Sequence, residues 1–175
     1  MIGASRGPGR LLFDTLHDTG ATVVGIARSK RDITKLLDNA QFIEFDANNT
    51  ARLNQTIAPN SIVIHASRPD ILTQLLAKAP NIDRLVALGS TRIFTRYPDQ
   101  KCRALQRMAT AIWASGIAAT LLHPTLIYHA PGLNNIERVM AIAKRSPFIP
   151  LPINGDALIQ PIHAMDVVEA IFASL

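Results

Sequence analysis

Short, nearly continuous runs of apolar residues alternate along the chain with longer segments whose apolar residues recur at helical spacing. The apolar runs predict strands buried on both faces, because a strand with one wet face alternates apolar and polar residues. These runs lie at residues 21–27, 41–45, 61–66, 84–90 and 118–124. Helices are predicted at residues 8–18, 29–38, 50–57, 69–79, 98–115, 134–145 and 164–174. This alternation predicts an α/β fold of three layers, a parallel sheet with helices on both faces.

Residues typical of helix ends support several of these boundaries. Asn49 or Thr50 can cap the third helix, and Pro98 suits the first position of the long helix at 98–115. Gly116 suits a stop directly after that helix. Trp113 is predicted to lie on its buried stripe.

The composition indicates a globular and mildly basic protein. Apolar residues make up 48% of the 175 residues, charged residues make up 18%, and the net charge is +5. The basic residues are scattered and do not interleave with aromatic residues, so we expect no nucleic-acid partner; a basic cleft for an anionic small molecule explains the charge equally well. Cys102 is the single cysteine, which excludes an intramolecular disulfide, and it is predicted to pack as a small apolar residue. Without a long apolar span or a signal peptide, we expect a soluble cytoplasmic protein without a membrane partner.

Both ends of the sequence are unusual for such a sheet. Only Met1 and Ile2 precede the first glycine turn, so the usual opening strand is nearly absent. The sequence stops at Leu175, on a predicted helix. We expect either an unusually small protein or a fragment of a longer one.

The segment GASRGPG at residues 3–9 is the most specific motif of the chain. Gly3, Gly7 and Gly9 follow the pattern G-x-x-x-G-x-G at a predicted turn from strand to helix. Glycines at such a turn let the backbone approach a pyrophosphate, and the helix N-terminus offers free N–H groups and a positive dipole end. The motif therefore predicts a dinucleotide-binding turn.

This loop and several later segments resemble the short-chain dehydrogenase/reductase superfamily. The later segments are EFDAN (44–48), IHAS (64–67), ALGST (87–91), LLHPTLIYHAPGLNNIERV (121–139) and PLPINGDALIQPIHAMDVVEAI (150–171). The chain looks most like the atypical and extended branch, which includes epimerase/dehydratase-like and complex I 39-kDa-subunit-like proteins. The resemblance implies one Rossmann-type, doubly wound domain over residues 1–175. It also implies a short substrate-side segment near 146–162, and a C-terminal subdomain that is absent or truncated.

The resemblance also implies which residues hold an NAD(P) cofactor. Asp46 matches the aspartate that binds the adenine amino group, and Ala66 lies at the strand end that runs past the adenosine. Pro124 matches the proline beside the carboxamide end of the cofactor, and Lys101 matches the lysine at the nicotinamide ribose. The remaining cofactor-binding residues belong to the glycine loop: Gly3, Ser5, Arg6, Gly7 and Gly9.

The charge after the predicted strand at 21–27, which corresponds to the second strand of a fold with a complete opening strand, favours NADP over NAD. NAD-binding folds place an acidic residue there to accept from the ribose 2′-hydroxyl. Arg28 takes that place here, and Arg6 in the glycine loop can reach the same ligand group. A guanidinium pairs with a 2′-phosphate, whereas an acidic side chain would repel it.

Ser90, Tyr97 and Lys101 are the residues that match the catalytic set of the superfamily. A tyrosine hydroxyl needs a nearby cation to exchange protons near pH 7, and a lysine four residues later can supply it on one helix face. Tyr97 follows Ser90 by only seven residues, and Pro98 comes directly after it. Two hypotheses therefore stay open: an NADP-dependent oxidoreductase acting on a carbonyl or hydroxyl group, or a nucleotide-binding module without turnover.

In the superfamily, long helices such as 98–115 form homodimer faces.

The histidines show no metal-ligand spacing, so no metal site is expected. His65 is predicted to lie near the adenosine or to be satisfied by a neighbouring group. His123 stands where the superfamily commonly has an arginine, and it is interpreted as a packed or surface residue. Asp166 is interpreted as a charge at the start of the last helix.

Overall fold

A computed structural model describes residues 1–29, 40–130, 135–146 and 159–175. The helices are α1 (Gly7–Asp18), α2 (Thr50–Thr56), α3 (Pro69–Leu76), α4 (Gln100–Ser115), α5 (Asn135–Arg145) and α6 (Ala164–Phe172). The strands are β1 (Val23–Ala27), β2 (Ala40–Glu44), β3 (Ser61–His65), β4 (Ile82–Leu88), β5 (Ala118–Leu122), β6 (Leu126–Tyr128) and β7 (Pro161–His163). The predicted helix at 29–38, apart from Ser29, and most of the segment 146–162 lie outside the described residues. Among the helices described, none has the length and apolar character needed to cross a membrane.

The main sheet is parallel, and Ile2 lies at its centre. β1 pairs with β2, while β3, β4 and β5 pair in that order. Ile2 joins the two groups by parallel bridges to Ile26 of β1 and His65 of β3. Its N–H donates to Ile64 O at 2.8 Å, and its carbonyl accepts from Ala66 N at 2.8 Å. The spatial order is therefore β2, β1, Ile2, β3, β4, β5.

Each face of this sheet carries its own hydrophobic core. α1 and α6 pack on one face around Phe13, Ile64 and Val168. α2, α3 and α4 pack on the other face around Val63 and Leu105, among others. Neighbouring residues of β3 thus enter opposite cores, as strands buried on both faces must do. The predicted three-layer α/β fold is confirmed.

A second, two-stranded parallel sheet consists of β6 and β7, which the apolar pattern did not predict. Each strand has only three residues, which is too short for a reliable alternation signal. His163 ends β7 and caps α6, because its Nδ1 accepts a hydrogen bond from Met165 N at 3.1 Å. Asp166 lies in the first turn of α6, as predicted.

The ends of α2 and α4 agree only in part with the predictions. Asn49 caps α2, and Gly116 ends α4 with a left-handed φ of 67°. However, α4 begins at Gln100 rather than Pro98, because the Asp99 carboxylate accepts from Cys102 N at 2.8 Å and caps the helix there.

The buried side of α4 also differs from the prediction at one position. Cys102 is fully buried, as predicted, and so is Met108, while Ile112 is largely buried. Trp113 is 91% exposed, so the prediction that it is buried was wrong. One residue beyond Ile112 is a rotation of about 100° around the helix, which moves Trp113 off the buried face.

Candidate functional site

The glycine turn packs so tightly against neighbouring backbone that side chains are excluded from it. A Cβ atom on Gly3 would lie 2.4 Å from the carbonyl oxygen of Ala66, and one on Gly9 would lie 2.3 Å from that of Gly3. Gly3 and Gly7 also have positive φ angles of 90° and 58°, which favour glycine. The sequence therefore needs glycine at these positions to bring the turn against the end of β3.

Helix α1 starts directly in this turn, and its first residues leave donors for a ligand. Arg6 occupies the N-cap position with extended backbone, and its side chain makes no capping hydrogen bond. Pro8 in the first turn lacks an N–H that would need a partner. The remaining N–H groups of the first turn, with the positive end of the helix dipole, form a cradle for an anion such as a phosphate.

A cavity of about 370 Å³ opens beside this turn. Its walls come from the glycine turn and from the residues that follow β1, β2 and β3, at the carboxyl edge of the sheet. Parallel folds bind their ligands at this edge. Of the residues that the sequence predicts to bind a cofactor, six line this cavity: Gly3, Ser5, Arg6, Arg28, Asp46 and Ala66.

Three guanidinium groups and one carboxylate give this cavity its charge. Arg6, Arg28, Arg68 and Asp46 all line it. Hydrogen bonds from the backbone and side-chain amides of Asn48 hold the pKa of Asp46 below its ordinary value, and the charges of Arg28 and Arg68 act in the same direction. The cavity therefore keeps an ionised acceptor within a net positive surface.

Arg68 and Asn48 are cavity residues that the sequence reasoning missed. The Arg68 guanidinium donates a hydrogen bond through Nη2 to the side-chain oxygen of Asn48. Asn48 Nδ2 donates in turn to Asp46 at 2.8 Å. This chain of side chains connects the loop after β2 with the loop after β3. Arg68 comes two residues after the end of the predicted strand at 61–66. Its position at the carboxyl edge of the sheet could have identified it as a cavity residue.

The residues that line the cavity fit the adenosine half of a dinucleotide cofactor. The two close glycine contacts let the turn pack against the end of β3, beside the cavity. Arg28 follows β1, at the position that would contact the ribose 2′-hydroxyl or 2′-phosphate of the cofactor, and Asp46 offers an acceptor for an adenine amino group. Both the shape and the charge of the cavity suit an anionic nucleotide.

The ends of β4 and β5 carry Ser90 and Pro124 outside this cavity. Ser90 caps a short 3₁₀ helix at Thr91–Phe94, where its Oγ accepts from Arg92 N at 3.2 Å. The carbonyl of Pro124 accepts from Thr91 N at 3.2 Å. The two residues are thus held close together, at the same edge of the sheet as the cavity.

Tyr97 and Lys101 do not share a helix face in the structure. Tyr97 precedes the Asp99 cap and therefore lies outside α4, whereas Lys101 is exposed in the first turn of that helix. The Tyr97 side chain is 88% exposed, and its backbone N–H donates to Thr95 Oγ1 at 3.3 Å. Neither residue lines the cavity.

His65 ends β3 and is fully buried without lining the cavity. Among the described residues, neither of its ring nitrogens has a partner at full hydrogen-bond geometry, although the Arg68 backbone lies close enough to act on the ring. Burial lowers the pKa of His65 to about 4, against a smaller opposing effect of the Arg68 backbone. The ring is therefore neutral at pH 7.

The chain matches no protein-family model and no curated protein. Solved structures do match it. A Rossmann-fold NAD(P)-binding family protein from Shigella flexneri shares 23% identity over 98% of this chain and 83% of its own, with a TM-score of 0.68. The Bordetella bronchiseptica enzyme WbmH in complex with NAD+ shares 15% identity over 99% of this chain and 70% of its own, with a TM-score of 0.76. A short chain dehydrogenase from Burkholderia cenocepacia in complex with NADP shares 15% identity over 99% of this chain and 81% of its own, with a TM-score of 0.68.

These matches establish the fold. The chain has a Rossmann fold, which confirms the fold that the resemblance to short-chain dehydrogenases/reductases implied.

Proposed function

We propose that the protein binds NADP(H) and acts as an oxidoreductase on a carbonyl or hydroxyl group of a small molecule. The observation that carries this proposal is the position of Arg28 in the cavity beside the glycine turn. A carboxylate at that position would favour the 2′-hydroxyl of NAD, whereas a guanidinium favours a 2′-phosphate. Arg6 and Arg68 add two further positive charges to the same cavity.

NADP(H), when bound, supplies a hydride or accepts one at its nicotinamide ring. The residues of this chain would hold its two ends. The glycine turn and the start of α1 would bind the pyrophosphate, and Asp46 would accept from the adenine amino group. Ser90 and Pro124 lie at the ends of β4 and β5, farther along the same edge, where a substrate would meet the nicotinamide. Lys101 is proposed as a contact of the nicotinamide ribose.

A second candidate function is a nucleotide-binding module without turnover, such as a redox sensor or a complex subunit. The exposure of Tyr97 favours it, because a proton donor in hydride transfer must reach the substrate oxygen in a site shielded from water. The glycine turn and Arg28 serve both functions equally. A test for turnover must therefore accompany any test for binding.

The test compares NADPH and NADH binding by titration calorimetry in the wild type and in Arg28→Glu. We expect the substitution to weaken NADPH binding far more than NADH binding. Arg103→Glu is the matched control, since Arg103 carries the same charge but lies on α4 outside the cavity. Equal effects of Arg28→Glu on both cofactors would contradict the 2′-phosphate assignment. A panel of carbonyl substrates with NADPH then separates an enzyme from a binding module.

A further inference from the structure

The ends of β4 and β5 form a second, rigid feature at the carboxyl edge of the sheet. Gly89 N donates to Leu122 O at 2.7 Å, and Thr91 N donates to Pro124 O at 3.2 Å. These two hydrogen bonds hold the residues that lie between them, Ser90 on one strand end and His123 on the other.

His123 lies directly against Gly89, and this contact orients its ring. A Cβ atom on Gly89 would lie 2.6 Å from Nδ1 and 2.9 Å from Cε1 of His123, so the ring fills the space that a side chain would take. Nδ1 is buried and has no hydrogen-bond partner among the described residues, whereas the residue as a whole is half-buried. A buried N–H without an acceptor is rarer in proteins than a buried acceptor without a donor. The neutral ring is therefore expected to carry its proton on Nε2, where it can donate.

Ser90 offers a second donor. Its Oγ already accepts the hydrogen bond from Arg92 N at 3.2 Å, which uses one lone pair and leaves the hydroxyl proton available. Phe94 lies next to His123, with the two rings in an edge-on arrangement at a centroid distance of 5.4 Å, and Phe94 is 72% exposed. The group thus combines two donors with an exposed aromatic face.

We propose that His123 binds an oxygen atom of the substrate together with Ser90, whose catalytic role the resemblance to short-chain dehydrogenases/reductases already implies, and that Phe94 contacts an apolar or aromatic group beside that oxygen. Two donors select an acceptor such as a ketone or aldehyde oxygen, and the phenyl ring selects a compound with an apolar substituent. This inference rests on the proposed function, which it extends from the cofactor to the class of substrate. It makes His123 a substrate contact rather than a packed histidine.

Two probes of the same shape test this proposal: acetophenone, which has a carbonyl oxygen, and ethylbenzene, which lacks it. Both are titrated into NADPH-saturated protein, with binding followed by NMR of the ¹⁵N-labelled histidine rings. We expect the free protein to show the Nε2–H form of His123, and acetophenone to shift that signal. A ring protonated on Nδ1, or acetophenone binding no better than ethylbenzene, overturns the proposal.

Side-chain variants separate the two kinds of contact. His123→Ala should weaken acetophenone binding about tenfold, the size of one or two lost hydrogen bonds, without affecting ethylbenzene. His123→Gln, which keeps a donor near the position of Nε2, should restore most of that loss. Phe94→Ala should weaken both probes, whereas Trp113→Ala, which removes another exposed aromatic side chain, should weaken neither. An unchanged acetophenone affinity in His123→Ala overturns the proposal.

The NADPH affinity is measured on the same samples. Wild-type protein that fails to bind NADPH contradicts the proposed function itself. Protein that binds NADPH but does not bind acetophenone up to its solubility limit contradicts only the substrate contact.

Discussion

A Cβ atom added to Gly9 would lie 2.3 Å from the carbonyl oxygen of Gly3, closer than such atoms approach in real proteins. The obstacle is backbone and cannot rotate away, so in Gly9→Ala the start of α1 must move away from the turn. We expect a loss of stability of about 1–3 kcal/mol, typical of overpacking. NADPH affinity should fall at least about tenfold, since the phosphate cradle depends on this approach. Urea unfolding and titration calorimetry measure the two effects.

Gly20→Ala is the control for this substitution. Gly20 has a positive φ of 81°, but no atom lies within 4 Å of an added Cβ. The change should lower stability by about 1 kcal/mol through backbone strain and leave NADPH affinity unchanged. If Gly9→Ala binds NADPH as well as Gly20→Ala does, the turn does not cradle the phosphates.

The arrangement of Arg6, Arg28 and Arg68 around one cavity predicts that salt will weaken NADPH binding more than NADH binding. Exposed charges are screened by added ions, and NADPH carries the additional phosphate. Raising sodium chloride in steps at constant pH, with calorimetry for both cofactors, should give the steeper decline for NADPH. Arg68→Gln should reduce that difference. Identical salt dependence for the two cofactors would show that the arginines do not act on the extra phosphate.

Much of the fold follows from the sequence because strands buried on both faces leave a clear apolar signature. Val63 and Ile64 enter opposite cores, and each of the five predicted runs became a strand of the main sheet. β6 and β7 were missed because three residues carry too little pattern. Trp113 was placed on the wrong face because apolar character alone does not show where a buried stripe ends.

Site residues in a local motif could be predicted from the sequence, whereas those that were missed depend on contacts between distant parts of the chain. Gly3 and Gly9 were recognised because the glycines of this turn follow a fixed local spacing in the sequence. Arg68 was missed because its relation to Asn48 spans twenty residues and depends on the order of the strands. Tyr97 was matched to Lys101 by spacing on a helix, but the Asp99 cap starts that helix after Tyr97. A spacing of four residues brings two side chains together only when both residues belong to the same helix.

Tyr97→Phe should leave NADPH affinity unchanged, and turnover on a carbonyl substrate should fall by less than about tenfold. The reason is its position, since the side chain is 88% exposed and lies outside α4. A general acid contributes about 10²–10⁴-fold to a rate, so a loss in that range would assign Tyr97 as the proton donor after all. Steady-state kinetics with NADPH and a carbonyl panel, together with calorimetry, distinguish these outcomes.

Buried His65 predicts that the protein loses stability as the pH falls from about 6.5 to about 4. Its folded-state pKa of about 4 lies below the ordinary value of 6.5, so the unfolded chain binds the proton first. The stability that depends on the neutral ring is complete above pH 6.5. It is lost progressively on acidification, by at most about 3 kcal/mol from this residue. Urea unfolding across this pH range measures the slope.

His65→Leu should flatten that slope, because leucine cannot titrate and fills the same apolar position at the end of β3. The buried amino group of Met1, whose pKa burial lowers to about 5, titrates with the same sign and is present in both proteins. The difference between wild type and variant therefore isolates His65. Val63→Ala, a non-titrating change on the same strand, should lower stability equally at every pH. An unchanged slope in His65→Leu would mean that the ring finds a hydrogen-bond partner that holds its proton in the folded protein.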